Sequence, residues 1–300
     1  ADGMMVSGAG GAVFLGLAGY VRHGTPVVVE RPAYGAFERG VQFLGGVPVL
    51  YERREEEGWR FDPERLDALL VESGARVVGI TDPHNPTGAS IDTQTRRDVV
   101  EVAERHGALL LVDETFAPFR GAERAAAWCT TSDRVLTLGS LTKGWGLHAL
   151  RAGWLLGAPG LVAPCAQAFD LVGGNPPSAT LALARGALTF AETLDERARQ
   201  ASLSVHTAFT GAGWGDGSML GSCDGIIGFL RLPAGWDSER AARLLREQDG
   251  VQVVPGHFFG RDDHVRIGFD PERTDGAEGC RLIRERLSRI RDRTVAVADP

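Results

Sequence analysis

The chain contains a single lysine, and its side chain could do chemistry that no other cation in the sequence can do. Lys143 lies in the stretch SLTKGWG (140–146), and the remaining basic residues among the 32 lysines and arginines are all arginines. A guanidinium cannot replace an amine that must lose its proton and become a nucleophile. Lys143 is therefore a candidate nucleophile or base, and the simple alternative is a surface lysine without a role.

Other polar residues stand directly after apolar runs. Asn85 follows one run in TDPHNPTG, Asp113 ends another in LLVDETF, and Ser140 and Lys143 follow a third in LGSLTKGWG. Each has an ordinary alternative, since Asn-Pro favours turns and an aspartate can cap the next element. In an α/β sheet, however, ligands bind where strands end, so we expect these side chains to converge on one pocket.

A glycine-rich stretch, SGAGGA (7–12), precedes an apolar segment that predicts a helix over 12–20. Backbone N–H groups at a helix start bind phosphate well. Glycines for close packing are the alternative. The stretch is not a dinucleotide-binding fingerprint, because Val13 stands where its last glycine is needed.

The elements that must position these residues are indicated by alternation along the chain. Nearly all-apolar runs predict strands covered on both faces. These runs are 25–30, 47–51, 76–82, 108–114, 135–141 and 153–158. Helical patterns at 35–45, 63–72 and 92–107 lie between them, the last with Asp92 as N-cap and Gly107 as C-cap. The fold class is therefore α/β, a mostly parallel sheet with helices on both sides.

The pattern changes after the glycine-rich segment 211–225. Runs at 226–233, 251–256 and 264–270 predict strands, with helices near 237–247 and 275–292. We predict a large α/β domain over 1–176, a connecting helix over 177–214 and a smaller α+β C-terminal domain over 215–300.

Composition excludes several classes of protein. The net charge of -7 and a pI near 5.6, with scattered arginines, argue against nucleic-acid binding. No apolar run spans a bilayer and no secretory signal is visible, so a membrane partner is not expected. The four cysteines lack metal-type spacing, which favours reduced thiols in a cytoplasmic protein and no metal site.

Taken in order, SGAGG, RPAY, HNPTG, DETF, SLTK, LRAG and RIGF resemble the class I/II aminotransferases, which are fold-type-I enzymes that use pyridoxal 5′-phosphate (PLP). The resemblance covers essentially the whole chain, and HNPTG and the SxxK…R element are its most specific parts. It implies a fold-type-I large domain and PLP as the cofactor.

The resemblance also implies roles for the residues around the cofactor ring. Lys143 would form the Schiff base with PLP and then move the Cα proton. Asp113 would keep the pyridine nitrogen protonated, so that the ring accepts electrons. Asn85 would donate a hydrogen bond to O3′ and lie beside the substrate, and Tyr34 would stack on the ring.

For the cofactor phosphate, the matching positions are Gly8, Ala9, Gly10, Ser140 and Arg151. Arg266, in VRIGF, matches the arginine that binds the substrate α-carboxylate. Because it comes from the smaller domain, domain closure is expected to bring it over the cofactor.

Three features depart from the family pattern. Phe116 occupies the place of a tyrosine that gives O3′ a second hydrogen bond. A family segment that precedes the SGA element and reaches the neighbouring subunit is not seen here. Asp170, just before GGNPPS (173–178), stands roughly where aspartate aminotransferases carry an arginine. This position leads to the hypothesis of neutral or basic substrates, and the simpler alternative is that Asp170 ends a helix turn and faces solvent.

The resulting expectation is a cytoplasmic, homodimeric aminotransferase of amino acid metabolism or biosynthesis. It would move an amino group from an amino acid to a 2-oxo acid. Two alternatives stay open. One is a PLP-dependent decarboxylase or cyclising synthase of the same fold, and the other is a truncated, non-catalytic PLP-binding homologue.

Overall fold

The computed structural model describes residues 2–123, 126–172, 176–211, 225–269 and 276–298. The strands are β1 (Asp2–Val6), β2 (Pro26–Arg31), β3 (Val47–Glu52), β4 (Val77–Thr81), β5 (Leu109–Asp113), β6 (Val135–Ser140), β7 (Gly153–Gly157), β8 (Ile227–Arg231), β9 (Val254–Pro255) and β10 (His264–Gly268). The α-helices are α1 (Gly8–Tyr20), α2 (Ala36–Phe43), α3 (Pro63–Ser73), α4 (Thr93–Arg105), α5 (Pro159–Val172), α6 (Ser178–Leu188), α7 (Ala191–Gly211), α8 (Ser238–Asp249) and α9 (Gly276–Ala298).

The first seven strands form one sheet in the spatial order β1-β7-β6-β5-β4-β2-β3. Strands β2 to β6 pair in parallel, whereas β7 is antiparallel to both β6 and β1. The register places Thr81 opposite Asp113, and Asp113 opposite Leu138. The ends of β4, β5 and β6 therefore meet at one edge, which confirms the predicted mostly parallel sheet.

Two apolar cores cover the two faces of this sheet. One face packs against α1, α2 and α5, and the other packs against α3 and α4. All five residues of β4 are buried, as is typical of a nearly all-apolar strand that is covered on both faces. The predicted two-sided coverage is thereby confirmed.

Helix ends follow local chemistry. Asp62 precedes Pro63 and caps α3 by accepting N–H groups, and Asp92 caps α4 by accepting the N–H groups of Gln94 and Thr95, each at 2.9 Å. Gly107 lies two residues beyond the end of α4, directly after the C-cap His106, with φ +60°, the left-handed conformation that glycine supplies there. The predicted N-cap Asp92 is thus confirmed, whereas the C-cap is His106, and the predicted Gly107 follows it.

A second, antiparallel sheet has the order β8-β10-β9. It packs with α8, α9 and the end of α7 around a separate apolar core, in which Val205 and Phe209 of α7 take part. The first sheet falls within 1–176 and the second within 215–300, but the domain boundaries themselves stay a prediction.

Several predicted elements need correction. The first helix begins at Gly8 rather than residue 12, so Gly8, Ala9 and Gly10 form its first turn. The expected single connecting helix is two helices, α6 and α7. The predicted strand over 251–256 reduces to Val254–Pro255, and β1 was not predicted at all.

Some predicted features lie outside the described residues: the first three residues of GGNPPS, nearly all of the glycine-rich 211–225 segment, and Cys223. In the part of the chain that the structure describes, no helix combines the length and apolar character needed to cross a membrane.

Candidate active site

A cavity of about 540 Å³ opens where β4, β5 and β6 end, between the two sheets. Ten of the eleven predicted site residues line it, namely Ala9, Gly10, Tyr34, Asn85, Asp113, Phe116, Ser140, Lys143, Arg151 and Arg266. The eleventh, Gly8, lies behind the wall against Arg151. Residues separated by more than 250 positions in sequence therefore share one chamber.

One end of the cavity is suited to an anion. Ser7 makes no side-chain capping bond at the start of α1, so the first N–H groups of this helix have no cap from it. Buried Ser140 accepts the N–H of Thr142 at 3.3 Å, and the Thr142 hydroxyl is buried with no partner among the described residues. Arg151 adds a positive charge, which completes a donor set for a phosphate.

Gly8 is required by the approach of Arg151. Its φ is +75°, and a Cβ atom added there would lie 2.7 Å from Nη2 of Arg151. Arg151 itself has a left-handed backbone, with φ +49°. Two uncommon backbone conformations thus bring the guanidinium against the start of α1.

Lys143 reaches into the cavity from the segment after β6, where its side chain stays accessible. Desolvation, together with the positive charges of Arg266 and Arg151, lowers the pKa of its amine. Among the described residues, no carboxylate lies within ion-pair distance of it. The neutral, nucleophilic amine is therefore easier to reach than in an ordinary exposed lysine.

Two contacts hold the Lys143 segment in place. Gly144 packs against Pro118, and a Cβ atom there would lie 2.4 Å from the proline ring. Trp145 donates its indole N–H to Asp195 of α7 at 2.8 Å. Neither contact was foreseen from the sequence, because each joins distant parts of the chain.

Asp113 ends β5 and points its carboxylate at the cavity. Burial raises the pKa of Asp113, opposed by hydrogen bonding from Thr115, whose N–H donates to Oδ1 at 2.9 Å. No cation of the described residues lies within ion-pair distance. A partly buried carboxylate without a cation beside it gains from a protonated ligand nitrogen placed next to it.

Asn85 connects three parts of the site. Its carbonyl oxygen accepts the N–H of Tyr34 at 3.1 Å, and its side-chain Oδ1 accepts Nη1 of Arg266 at 3.2 Å. Its amide NH₂ remains as a donor toward the cavity. Tyr34 lines the cavity and is 53% exposed, so its ring is accessible to a planar ligand.

Arg266 belongs to β10 and lines the cavity on the side of the small sheet. Its guanidinium lies over the ring of Phe259 at 5.1 Å, and its Nε has no partner in the described part of the chain. Burial lowers the pKa of Arg266, yet the group stays charged. A buried guanidinium with unused donors is suited to bind a carboxylate.

A second polar cluster, which we call the Asp82 cluster, supports the Asn85 loop and consists of Asp82, Arg96, Arg120 and Trp128. Asp82 is fully buried. It accepts the indole N–H of Trp128 at 2.8 Å, Nη1 of Arg120 at 3.3 Å and a charge-assisted bond from Arg96. It also accepts the backbone N–H of Ile91 at 2.9 Å, so the loop from 82 to 91 is closed at both ends.

Sequence reasoning missed further lining residues, including Thr142, Thr115, Ile226 and Phe269. Thr142 was open to detection, because it lies between Ser140 and Lys143 in a segment already recognised as functional. Ile226 and Phe269 flank strands of the small sheet and carry no local signal for a site.

The groups present fit PLP. The buried, unpartnered hydroxyl of Thr142 and the N–H groups of α1 suit the phosphate, Asp113 suits a protonated pyridine nitrogen, and Lys143 supplies an amine. No residue in this arrangement conflicts with such a ligand.

Comparisons with known proteins agree with this geometry. The chain is 30% identical over 290 residues to capreomycidine synthase from Streptomyces vinaceus, covering 95% of this chain and 74% of that protein. It is 27% identical over 294 residues to the arginine–pyruvate transaminase of Pseudomonas aeruginosa, covering 93% and 73%.

Among solved structures, a PLP-dependent aminotransferase from Streptococcus suis superposes with a TM-score of 0.85 at 23% identity, covering 96% of this chain and 76% of the other. That similarity establishes the fold. The sequence profile of "Aminotransferase class I and II" matches residues 3–281. The chain therefore belongs to the class I and II aminotransferase family, which are PLP-dependent transferases.

Proposed function

We propose that this chain binds PLP in the cavity between its two sheets and transfers an amino group from an amino acid to a 2-oxo acid. The observation that carries the proposal is the position of Lys143. Its amine, with a lowered pKa and no carboxylate partner among the described residues, lies in one chamber with Asp113 and Arg266. When bound, PLP supplies an electron sink for the carbanion character that develops at the amino acid Cα.

Each residue of the chain has a distinct task in this proposal. Lys143 would hold the cofactor through its amine and, once freed by the incoming amino acid, would move the proton from the substrate Cα to the cofactor. Asp113 keeps the pyridine nitrogen protonated. Asn85 donates its NH₂ to the ring oxygen, and Tyr34 covers one ring face.

Binding and orientation come from the two arginines of the cavity wall. Arg151, with α1, Ser140 and Thr142, fixes the phosphate, and Arg266 binds the α-carboxylate. This division leaves neither arginine for a carboxylate on the substrate side chain. It supports amino acids with neutral or basic side chains as donors, as does the arginine in the name of one relative. Asp170, from which the sequence predicted neutral or basic substrates, is exposed on α5 and does not line the cavity.

We also propose that the active form is a homodimer. Large apolar side chains are exposed on and around α5 and α6, including Leu171 at 87%, Leu183 at 60% and Phe190 at 65%. A face of this kind supports a subunit contact. Size-exclusion chromatography with light scattering measures the mass directly.

A cyclising reaction is the second candidate, because one relative is a capreomycidine synthase and Phe116 removes a hydroxyl from the cofactor site. The test adds each of the twenty common amino acids to the holoenzyme and records the cofactor absorbance and the products. Amino transfer predicts the pyridoxamine spectrum with one equivalent of 2-oxo acid. A product that retains the nitrogen in a ring, or released carbon dioxide, would replace it with the alternative chemistry.

A further inference from the structure

The strand β10, which carries Arg266, contacts the segment that follows β3 of the large sheet. On β10, His264 and Arg266 are two residues apart and therefore point to the same face. Opposite them on β8 are Arg231 and Phe229. On this face, His264, Arg231 and Phe229 contact the large domain. Arg266, on the same face, lines the cavity.

The large domain meets this face with the segment from Arg53 to Trp59. Trp59 is 3% exposed, and its ring lies edge-on to Phe229 at 6.0 Å and to His264 at 5.6 Å. Phe229 also packs on Phe259, the ring beneath the Arg266 guanidinium. Three aromatic contacts thus lead from Trp59 to Arg266.

Charged groups add to this contact between the domains. We call the contact the joint, and it consists of Glu55, Trp59, Phe229, Arg231 and His264. Glu55, four residues before Trp59, accepts Nε of Arg231 at 2.8 Å. Its carboxylate lies 3.3 Å from Nε2 of the fully buried His264. One carboxylate of the large domain thus forms a salt bridge with Arg231 of β8 and contacts His264 of β10.

Trp59 is itself held in an uncommon conformation. Its φ is +60°, which costs free energy for a bulky residue and persists only where the surroundings enforce it. Buried Arg53 donates to the Trp59 carbonyl at 3.0 Å and to Glu30 at 2.7 Å. Glu30 in turn accepts the N–H of Thr81, at the end of β4, at 2.7 Å.

Thr81 is opposite Asp113 in the sheet, so one continuous set of contacts connects the base of the cofactor cavity to Trp59 and then to Arg266. We infer that Trp59 and Glu55 are positioning residues. They hold the Arg266 guanidinium over the cavity in the orientation that binds the substrate carboxylate. The inference rests on the proposed role of Arg266 as the carboxylate-binding group.

The test compares full-length holoenzyme variants. Trp59→Gly removes the ring and suits the left-handed backbone, Trp59→Phe restores an aromatic ring, and Glu55→Gln removes the charge. The control is Trp236→Ala, since Trp236 carries a stacked Arg240 at 4.1 Å and packs on the core of the small domain, not in the aromatic cluster of Trp59. The substrate is the amino acid that gives the largest absorbance change in the screen above.

Loosening Arg266 weakens ground-state and transition-state binding of the carboxylate alike, which raises KM more than it lowers kcat. We expect about a tenfold rise in KM for Trp59→Gly, with kcat changed by less than about threefold, since small misplacements of a binding group have effects of this order or larger. PLP content and labelling of Lys143 should equal those of the unaltered protein, and Trp59→Phe should recover most of the KM. Glu55→Gln should show the same pattern at a smaller size. An unchanged KM in Trp59→Gly, or an equal rise in Trp236→Ala, overturns the inference.

Hydrogen exchange separates failure of the inference from failure of the proposed function. If the unaltered protein turns over no amino acid, the proposed function fails, yet the amides of β10 still report the joint. Trp59→Gly should speed their exchange, while Trp236→Ala and the amides of β5 remain as before. Unaltered β10 exchange in Trp59→Gly overturns the positioning role whatever the activity.

Discussion

Two aspartates at the ends of neighbouring strands differ in what surrounds them. Asp82, just after β4, is met by two arginines, an indole and a backbone amide, whereas Asp113, at the end of β5, has only Thr115. They are adjacent enough for the N–H of Asp82 to donate to the carbonyl of Asp113 at 3.0 Å. A saturated buried charge holds the fold together, and a poorly compensated one beside a cavity is available to a ligand.

The same difference separates whole clusters. The Asp82 cluster is closed on itself, and the cavity cluster of Asp113, Lys143, Arg151 and Arg266 keeps its charges apart and turned toward open space. Substitutions in the first cluster should therefore reduce stability first, and substitutions in the second should reduce activity first.

Lys143→Arg should give the largest effect. It keeps the positive charge but removes the amine that binds the cofactor and transfers the proton, so activity should fall by at least about 10³-fold. The melting temperature of the apoprotein should stay within about 2 °C, because Lys143 makes no ion pair among the described residues. A variant that loses folding together with activity would remove the contrast between the clusters.

Asp82→Asn should give the largest loss of stability. It leaves Arg96 and Arg120 buried near a neutral amide, which should lower the free energy of unfolding by about 3 kcal/mol. Guanidinium unfolding of the apoprotein at constant m measures this value. Asp98→Asn, on the exposed face of α4, is the control and should change it by less than about 0.5 kcal/mol.

Asp113→Asn should act in the opposite direction on the apoprotein. The pKa of Asp113 is raised in the folded state, so its carboxyl binds a proton more readily there than in the unfolded chain. Stability of the unaltered apoprotein therefore falls as pH rises from the ordinary aspartate value of 3.8 through the raised pKa. The amide variant lacks this loss and should be the more stable apoprotein at neutral pH.

The activity of Asp113→Asn should fall about 10²-fold, because an amide cannot keep the pyridine nitrogen protonated. Urea titrations of both apoproteins between pH 4 and pH 8, followed by activity with PLP, check the two parts. A variant less stable than the parent at every pH would mean that Asp113 is compensated like Asp82.

Phe116→Tyr should give the smallest effect. Phe116 lines the cavity, and a phenol there adds a hydrogen-bond donor to the ring oxygen of bound PLP, which favours the ionised form. The pKa of the bound cofactor, measured by a spectral titration of the holoenzyme, should fall by about one unit. Phe119→Tyr, whose ring centre lies 6.2 Å away and outside this cavity, should leave the titration as it was.

Much of the site could be predicted because its parts are local in sequence. Asn85, Asp113 and Ser140 each end a buried strand, and parallel neighbours place such ends together. The family resemblance then supplied roles that no single motif contains. Arg266 was also found, because RIGF has a recognisable context.

Other parts could not be predicted, since they depend on contacts between distant segments. In the sequence, Glu55 and Trp59 have no feature that distinguishes them from an ordinary loop. Their role depends on contacts with β8 and β10, which only the structure shows. The break between α6 and α7 at Thr189–Phe190 has no glycine or proline to mark it. The start of α1 was placed late because its glycines lower helix propensity, while the need for backbone approach to Arg151 keeps them there.

The most direct measurement treats the PLP-loaded protein with borohydride, digests it and sequences the labelled peptide by mass spectrometry. The expected result is one pyridoxyl group per chain, attached to Lys143 and blocked when the substrate amino acid is added first. A holoprotein without that adduct on the peptide containing SLTKGWG, or with the label at the chain's amino terminus only, would contradict the central claim.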